Sequence, residues 1–225
     1  MGCCKITVIG IASLHQNCEM KITALRSEPF LWIHLSGIVL LPVFLAIATL
    51  ALTIGDSYYF GIELSLLGIV GIIPILFMQW THPFDIFSIL LLSIKPESLT
   101  EDRRAILSLF KTFKQKLVSG IAALLMLVVL WLIYNLSPLA IGLVDWLPQW
   151  RIFGLTIAAV CFLASNLFLQ VPLSALVVLL AQQSQVNRLD SYPIEKIEAD
   201  FTVPGIPVAQ ILWFAESATD SLEKS

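Results

Sequence analysis

The stretch that decides the fold lies at residues 31–54, LWIHLSGIVLLPVFLAIATLALTI, and contains no Asp, Glu, Lys or Arg. A helix needs about 20 mostly apolar residues to cross the roughly 30 Å of bilayer hydrocarbon, because unpaired backbone groups are too costly in lipid. Comparable stretches recur at about 59–80, 117–136 and 153–181. The sequence therefore predicts four transmembrane helices.

The composition of the whole chain agrees with a membrane protein. Of its 225 residues, 58% are hydrophobic and only 13% are charged, whereas a soluble domain carries about 25% charged residues. The formal net charge of −3 provides no basic field of the kind that nucleic-acid binding requires. We therefore expect the lipid bilayer to be the main solvent, and we do not expect nucleic acid to be a partner.

The loops between the predicted spans differ in their basic residues. The loop between spans one and two carries only Asp56, and the loop between spans three and four carries Asp145 and Arg151. The segment between spans two and three carries six basic residues: Lys95, Arg103, Arg104, Lys111, Lys114 and Lys116. Because Lys and Arg accumulate in cytoplasmic loops, we expect this segment and both termini to be cytoplasmic.

The basic segment has two interpretations. Its candidate residues for docking an anionic lipid or an acidic partner protein are Arg103, Arg104, Lys111, Lys114 and Lys116. The alternative is a positive-inside anchor that only sets the topology, and the pattern favours this alternative because basic cytoplasmic loops are ordinary. Docking stays open as the functional hypothesis.

The segment 82–116 is expected to form an interfacial helical hairpin. Pro83 suits the first turn of a helix, and the eleven mostly apolar residues that follow it are too few to cross the bilayer. A kinked extension of the second span is the alternative. Pro96 ends this helix, and residues 98–101, Ser-Leu-Thr-Glu, have the form of a capping box that opens a second, amphipathic helix. The predicted fold class is therefore all-α, with four transmembrane helices and this hairpin between spans two and three.

The two ends of the chain differ from the four-helix membrane domain, which we place at residues 20–187. Residues 1–19 are an N-terminal extension of doubtful status, with Met20 as an alternative start. Residues 188–225 form an acidic cytoplasmic tail with a formal charge of about −4. Two prolines within the tail predict an extended segment, which either packs on the bundle or presents a short linear motif.

Polar residues in the fourth span are the main candidates for function within the membrane. Asn166, Gln170 and Ser174 recur every four residues and therefore share one helix face; we call them the polar stripe. The stripe either lines a pathway or makes interhelical hydrogen bonds worth about 0.6 kcal/mol each. The pattern favours the hydrogen bonds, because no charged residue lies at mid-depth and ion-coupled transporters usually place one there.

The histidines are weak candidates for a cofactor. His34 and His82 lie at the expected cytoplasmic ends of spans one and two, where a single histidine could ligate a pigment. Glu63 lies at the opposite end of span two, so the three residues cannot form one metal site. The chain has no Walker A loop, dinucleotide glycine fingerprint, His-Glu-x-x-His or Gly-x-Ser-x-Gly motif. We therefore expect no catalytic residue, no metal and no cofactor, and do not expect an enzyme.

Four short segments carry a family likeness: FLWIHL at 30–35, HPFDIFS at 82–88, KPESLT at 95–100 and FTVPGI at 201–206. They resemble the cyanobacterial family called low-complexity tail membrane proteins, over about residues 21–212. The resemblance implies a four-span protein of a photosynthetic bacterium, in the thylakoid or plasma membrane, with no settled activity. Residues 1–19 have no counterpart in the family, and the Pro-rich tail that names it is short here.

Together these observations predict a non-enzymatic, multi-pass membrane protein that acts as a scaffold or as an assembly partner of another membrane protein or complex. The basic loop, the acidic tail and the lack of buried charge motivate this hypothesis. The first alternative is a small transporter or channel subunit that uses the polar stripe. The weaker alternative is a pigment-binding protein.

Overall fold

The structure, a computed structural model, describes residues 25–57, 59–89, 91–144, 146–147, 149–181, 191–209 and 211. The predictions for residues 1–19, for Met20 and for much of the acidic tail lie outside the described residues. The described part is mostly helical. Four of its helical stretches are long and apolar enough to cross a membrane: Pro29–Ala51, Phe60–Thr81, Phe113–Leu143 and Arg151–Leu179. The prediction of four such stretches is confirmed.

The first two stretches are built differently. The first consists of two helices, α1 (Pro29–Ser36) and α2 (Leu40–Ala51), joined by a 3-10 turn at Gly37–Val39. The second is the single helix α3 (Phe60–Thr81), with Pro74 in its interior. Their exposed large apolar side chains include Val43, Ile62, Ile69 and Phe77. Exposed apolar surface of this extent suits contact with lipid chains.

The segment after the second stretch corrects the prediction of an interfacial helix. It contains two short antiparallel strands, β1 (Ser88–Ile89) and β2 (Leu92–Ile94). Ile86 and Phe87 are fully buried just before β1. The backbone N–H and C=O groups of this apolar run form hydrogen bonds by strand pairing, partly with a third strand from the distant tail. The periodicity of a local stretch of sequence cannot reveal such a partner. The predicted all-α class is therefore wrong in this region.

The second helix of the predicted hairpin is present as α4 (Glu101–Phe110). Its N-cap is Thr100 rather than the expected Ser98, because the Thr100 hydroxyl accepts a hydrogen bond from the Arg103 backbone N–H at 3.4 Å. The inward-facing side chains of α4 are buried, as its amphipathic pattern predicts: Ile106, Leu107, Leu109 and Phe110. The helix prediction is confirmed, whereas the capping residue is corrected.

The last two stretches begin after a two-residue interruption of the helix at 111–112. Helix α5 (Phe113–Leu136) continues into a 3-10 segment at Ser137–Leu143, and α6 (Arg151–Leu179) is the longest helix of the described part. Phe113 and Leu117 belong to α5, and both side chains are exposed. The third stretch therefore begins earlier than predicted.

The described part of the tail contributes a helix, α7 (Ile194–Asp200), and a strand, β3 (Ile206–Val208). Strand β3 pairs with β2 in parallel, so the sheet order is β1-β2-β3. Gly205 has a φ of 103°, and a Cβ there would lie 2.5 Å from the Leu91 carbonyl carbon, so only glycine permits this approach. The extended conformation predicted from the tail prolines is confirmed for β3.

The chain divides into two compact units. The span unit comprises His34–Phe84 and Phe113–Ser174, and the loop–tail unit comprises Met1–Ile33, Asp85–Thr112 and Ala175–Ser225, as far as they are described. The core of the span unit includes Ala48, Leu67, Met126, Leu130, Ala158 and Phe162. The buried side chains of the loop–tail unit include Phe30, Leu31, Phe87, Leu107 and Ile197.

Candidate functional site

The span unit contains a buried ion pair between Glu63 in the first turn of α3 and Arg151 at the start of α6. Arg151 Nε donates to Glu63 Oε1 at 3.1 Å, and Arg151 Nη2 donates to Glu63 Oε2. Each side chain keeps only 9% of its surface exposed. Two parallel hydrogen bonds between a guanidinium and a carboxylate fix both distance and orientation. The pair therefore holds the beginnings of α3 and α6 together.

Two hydroxyl groups complete the coordination of the carboxylate. The Tyr134 hydroxyl in α5 donates to Glu63 Oε2 at 2.5 Å, and the Ser57 hydroxyl donates to the same oxygen at 3.0 Å. We call Glu63, Arg151, Tyr134 and Ser57 the ion network. A buried charge is tolerated only when it is paired and hydrogen-bonded, and this carboxylate meets both conditions.

The remaining donor of Arg151 is directed at the end of α2. Arg151 Nη1 donates to the carbonyl oxygen of Leu52 at 2.7 Å, and to those of Ile54 and Gly55 at 3.3 and 3.4 Å. The C-terminal end of a helix carries a partial negative charge that favours a cation. All three guanidinium nitrogens thus donate to groups of the protein, so the arrangement is suited to joining helix ends rather than to binding a substrate anion.

Sequence reasoning missed the ion network. It placed Arg151 in a loop and treated Glu63 as an isolated acid, so it concluded that the spans lack buried charge; the structure shows that this was wrong. A usable signal was present, because a lone acid in a predicted span needs a partner. Arg151 was the basic residue expected at the same end of the bundle as Glu63.

The polar stripe is fully buried in the span unit. Asn166 Nδ2 donates to the Gly71 carbonyl oxygen in α3 at 3.0 Å, and Gln170 Nε2 donates to Asn166 Oδ1 at 3.1 Å. Gln115 Nε2 in α5 donates to the Ser174 carbonyl oxygen at 2.9 Å. The structure therefore brings the three stripe residues together on one helix face and connects that face to α3 and α5.

Three buried amide atoms of the span unit have no hydrogen-bond partner among the described residues: Gln79 Nε2, Gln115 Oε1 and Gln170 Oε1. An unpaired buried polar group costs about 1–3 kcal/mol. Between the ion network and the stripe along α6 lies the buried ring of Phe162, and a Cβ added at Gly71 would be 2.3 Å from that ring. A tight apolar contact therefore interrupts the polar groups between one end of the unit and the other.

Two of the predicted docking residues, Arg103 and Arg104, lie in α4 and form contacts within the loop–tail unit. Arg103 Nε donates to Glu28 Oε2 at 3.3 Å, and the guanidinium carbon lies 5.9 Å from the centroid of the Phe87 ring. Arg104 Nη1 donates to the Tyr192 carbonyl oxygen at 3.3 Å. These side chains connect the loop to other segments of the unit, so neither is a free surface charge.

A third docking residue, Lys111, pairs with the tail. Its Nζ lies 2.9 Å from Asp200 Oδ1, and the Tyr192 hydroxyl donates to Asp200 Oδ2. Burial lowers the pKa of Lys111, but the hydrogen bonds with Asp200 and Tyr192 outweigh it and the net pKa is raised. The hydrogen bonds from Tyr192 and Lys111 lower the pKa of Asp200. We call these three residues the tail clasp.

The last two predicted docking residues, Lys114 and Lys116, lie in the first turns of α5. Both side chains are exposed. In the part of the chain that the structure describes, neither forms an ion pair with an acidic side chain. The five predicted residues therefore divide into three that hold the loop–tail unit together and two that remain available on the span unit.

Asp85 is a buried acid that sequence reasoning did not single out. Its side chain is 1% exposed, and its Oδ1 accepts a hydrogen bond from the Phe87 backbone N–H at 3.0 Å. Burial raises the pKa of Asp85 to about 6, and the hydrogen bond from Phe87 offsets only part of that rise. The Asp85 backbone N–H donates to the Thr202 carbonyl oxygen at 3.0 Å. The residue therefore sits where the segment before β1 meets the tail.

The two candidate histidines occupy different environments. His34 is half-buried, and its ring lies edge-on to Phe84 with 5.5 Å between the centroids. His82 is the C-cap of α3 and is exposed. No group of three or more His, Cys, Asp and Glu side chains that could hold a metal occurs within the described ranges.

Comparison with known proteins places the chain in a family. No curated protein and no solved structure matches the sequence significantly. The profile of the low-complexity tail membrane protein-like family matches residues 27–213, which is more than half of the chain. This match confirms the resemblance noted in the sequence and agrees with the four apolar helical stretches. The chain therefore belongs to the low-complexity tail membrane protein-like family.

Proposed function

We propose that this protein is a non-enzymatic, multi-pass membrane protein that serves as a scaffold or assembly partner for another membrane protein or complex. The observation that carries the proposal is the small sheet of the loop–tail unit. Strand β3 is one of the two edge strands of this sheet among the described residues, and Ile206 in β3 is 68% exposed. An exposed strand edge is a template to which a partner can add a strand.

The charged residues of the loop–tail unit support the same proposal. The tail clasp and the contacts of Arg103 and Arg104 use basic side chains to join the loop to the tail. A loop that only set the topology would not need such specific partners. Their effect is to present the edge strand on a folded body rather than on a free tail, which lowers the ordering cost of binding.

The ion network supports a role without catalysis. Every nitrogen of Arg151 donates to Glu63, Tyr134 or a backbone carbonyl oxygen. Glu63 in turn accepts hydrogen bonds from three side chains. A general acid or base must exchange a proton with a substrate within hydrogen-bond reach. These groups are instead occupied with one another.

The test is affinity purification of the tagged full chain from native membranes. We expect a stoichiometric partner to copurify with the native sequence and with Ile194→Lys, a control in α7 of the same unit. We expect Ile206→Lys to lose that partner, because a lysine on an edge strand opposes strand addition. Recovery of the protein alone, or equal losses from the two variants, would overturn the proposal.

We further propose that the protein resides in a cyanobacterial thylakoid or plasma membrane with both termini in the cytoplasm. The family resemblance supports the membrane, and the concentration of basic residues between spans two and three supports the orientation. The orientation is tested by replacing the four native cysteines and labelling single cysteines introduced at Lys114 and near the C-terminus. Labelling from opposite faces of the membrane would contradict it.

A small transporter or channel subunit is the second candidate function. The observation that favours it is the set of three buried amide atoms without partners among the described residues. The transporter hypothesis predicts flux of potassium, chloride or protons into proteoliposomes that contain the protein. It also predicts loss of that flux in the double variant Asn166→Leu/Gln170→Leu. The scaffold proposal predicts no flux from either protein and unchanged partner recovery from the double variant.

A further inference from the structure

A long groove runs between α3 and α5 on the span unit, with a volume of about 1060 Å³. Its lining is apolar apart from Ser65, Trp80 and Lys116. The lining residues of α3 extend from Leu64 to Trp80, about 24 Å at 1.5 Å per residue. The hydrocarbon of one leaflet is roughly 15 Å deep. The groove is therefore long enough to accept a lipid acyl chain along its length.

Two glycines keep the groove open. A Cβ added at Gly68 would lie 3.6 Å from the Leu130 side chain, and one added at Gly120 would lie 3.7 Å from the Trp80 ring. These are ordinary contact distances, so the glycines are not required by close helix packing. Their effect is to leave space between the two helices that a larger side chain would occupy.

One end of the groove is polar and positively charged. The Trp80 indole N–H donates to the Lys116 carbonyl oxygen at 3.0 Å, which ties α3 to α5 at this end. Tryptophan is enriched at the level of the lipid headgroups. The exposed Lys116 ammonium has no acidic partner among the described residues. An unpaired cation at headgroup level is suited to binding a phosphate.

We propose that this groove binds one anionic phospholipid, with an acyl chain along the apolar lining and the phosphate at Lys116. The charge at the mouth decides between occupants. A helix from a partner or from a second copy could cover the Lys116 ammonium only if it placed an acidic side chain at the same level. A phospholipid of the same leaflet brings both the apolar chain and the negative charge. The proposal is independent of the scaffold role.

The chain offers a matched control for the cation. Lys114 lies two residues before Lys116 near the start of α5 and is also exposed, but it does not line the groove. We would purify the full chain, reconstitute it with equal amounts of phosphatidylglycerol and phosphatidylcholine, and measure the retained lipids by native mass spectrometry. We expect Lys116→Gln to lower phosphatidylglycerol retention about tenfold, since a charge-assisted hydrogen bond is lost. Lys114→Gln should retain it like the native chain.

A second variant tests the apolar part of the site. Gly120→Leu would fill the groove and should lower retention of both lipids, while the unfolding temperature of each variant shows whether it remains folded. Equal effects of Lys116→Gln and Lys114→Gln would overturn the proposal, because they would indicate diffuse attraction to basic residues. Retention of phosphatidylcholine as tightly as phosphatidylglycerol, or a dimer without bound lipid, would also overturn it.

Discussion

The two units of this protein each join an acid, a base and a tyrosine, but in different surroundings. In the ion network both charged side chains are 9% exposed, whereas in the tail clasp Lys111 and Asp200 are 29% and 34% exposed. Water can replace a lost partner in the second case and not in the first. A carboxylate, a cationic side chain and a tyrosine hydroxyl therefore have different consequences for stability in the two units, which depend on burial rather than on the number of hydrogen bonds.

The largest effect on stability is expected for Arg151→Met, which tests the buried member of this comparison, the ion network. The variant leaves Glu63 buried without its counter-charge, and removing one partner of a buried pair costs about 3–5 kcal/mol. We expect a loss of that order in the free energy of unfolding, measured by chemical unfolding in detergent micelles with tryptophan fluorescence.

The matched control for Arg151→Met is the double variant Glu63→Gln/Arg151→Met. It removes both charges, so no isolated ion remains buried, and we expect it to be more stable than the single variant. If the double variant were less stable than the single one, the cost would come from lost packing rather than from the unpaired charge.

The second prediction concerns Asp85, a buried acid in the loop–tail unit. Its pKa of about 6 in the folded state exceeds the ordinary value of 3.8, so the folded protein binds the proton more tightly than the unfolded chain. The stability contributed by this group is therefore full below pH 3.8, is lost as the pH rises to about 6, and stays low above that.

The variant Asp85→Asn cannot ionise and keeps an oxygen for the Phe87 N–H. We expect it to be more stable than the native chain at neutral pH, by at most about 3 kcal/mol, and no more stable below pH 3.8. Unfolding measured across this pH range checks both statements. A gain that is equal at every pH would show that ionisation of Asp85 is not its cause.

The third prediction separates packing from charge in the span unit. Gly71→Ala would place a Cβ 2.3 Å from the Phe162 ring, and overpacking of this kind costs about 1–3 kcal/mol. Gly61→Ala in the same helix is the control, because nothing lies within 4 Å of a Cβ at that position. Thermal unfolding should show a clear loss for the first variant only; similar behaviour of the two would contradict the tight contact.

The smallest effect is expected at the tail clasp. Lys111→Gln should lower the free energy of unfolding by about 0.2–1 kcal/mol, the range measured for exposed pairs, and the difference should shrink as salt is added. Lys95→Gln makes the same charge change at an exposed position of the same unit and should have no measurable effect. A loss as large as that of Arg151→Met would break the comparison between the two units.

The elements that could be predicted from the sequence are those with local causes. The four apolar stretches follow from length and composition, and α4 follows from its alternating apolar and charged faces. The polar stripe was expected on one face because its spacing is helical, and its three residues do share one. Each of these features depends on residues within a few turns of one another.

The features that escaped prediction have distant causes. The segment before α4 was expected to be helical, but it forms the strands β1 and β2, and β3 from the distant tail pairs with β2. The basic residues of α4 were interpreted as a docking surface or as a topology anchor, yet Arg103 and Arg104 contact groups far away in the chain. The ion network joins residues from three helices and a loop. No local periodicity encodes such partners.

The sequence by itself determined that this chain has four apolar stretches long enough to cross a bilayer as helices, because hydrophobic length is a property of consecutive residues. Only the tertiary structure decided which charges are buried, which are paired across the chain, and which remain available. The physical reason is that the energy of a charge depends on its solvent and its neighbours, and folding brings those together from distant positions. Lys111, Lys116 and Arg151 have similar charges in the sequence and three different environments in the structure.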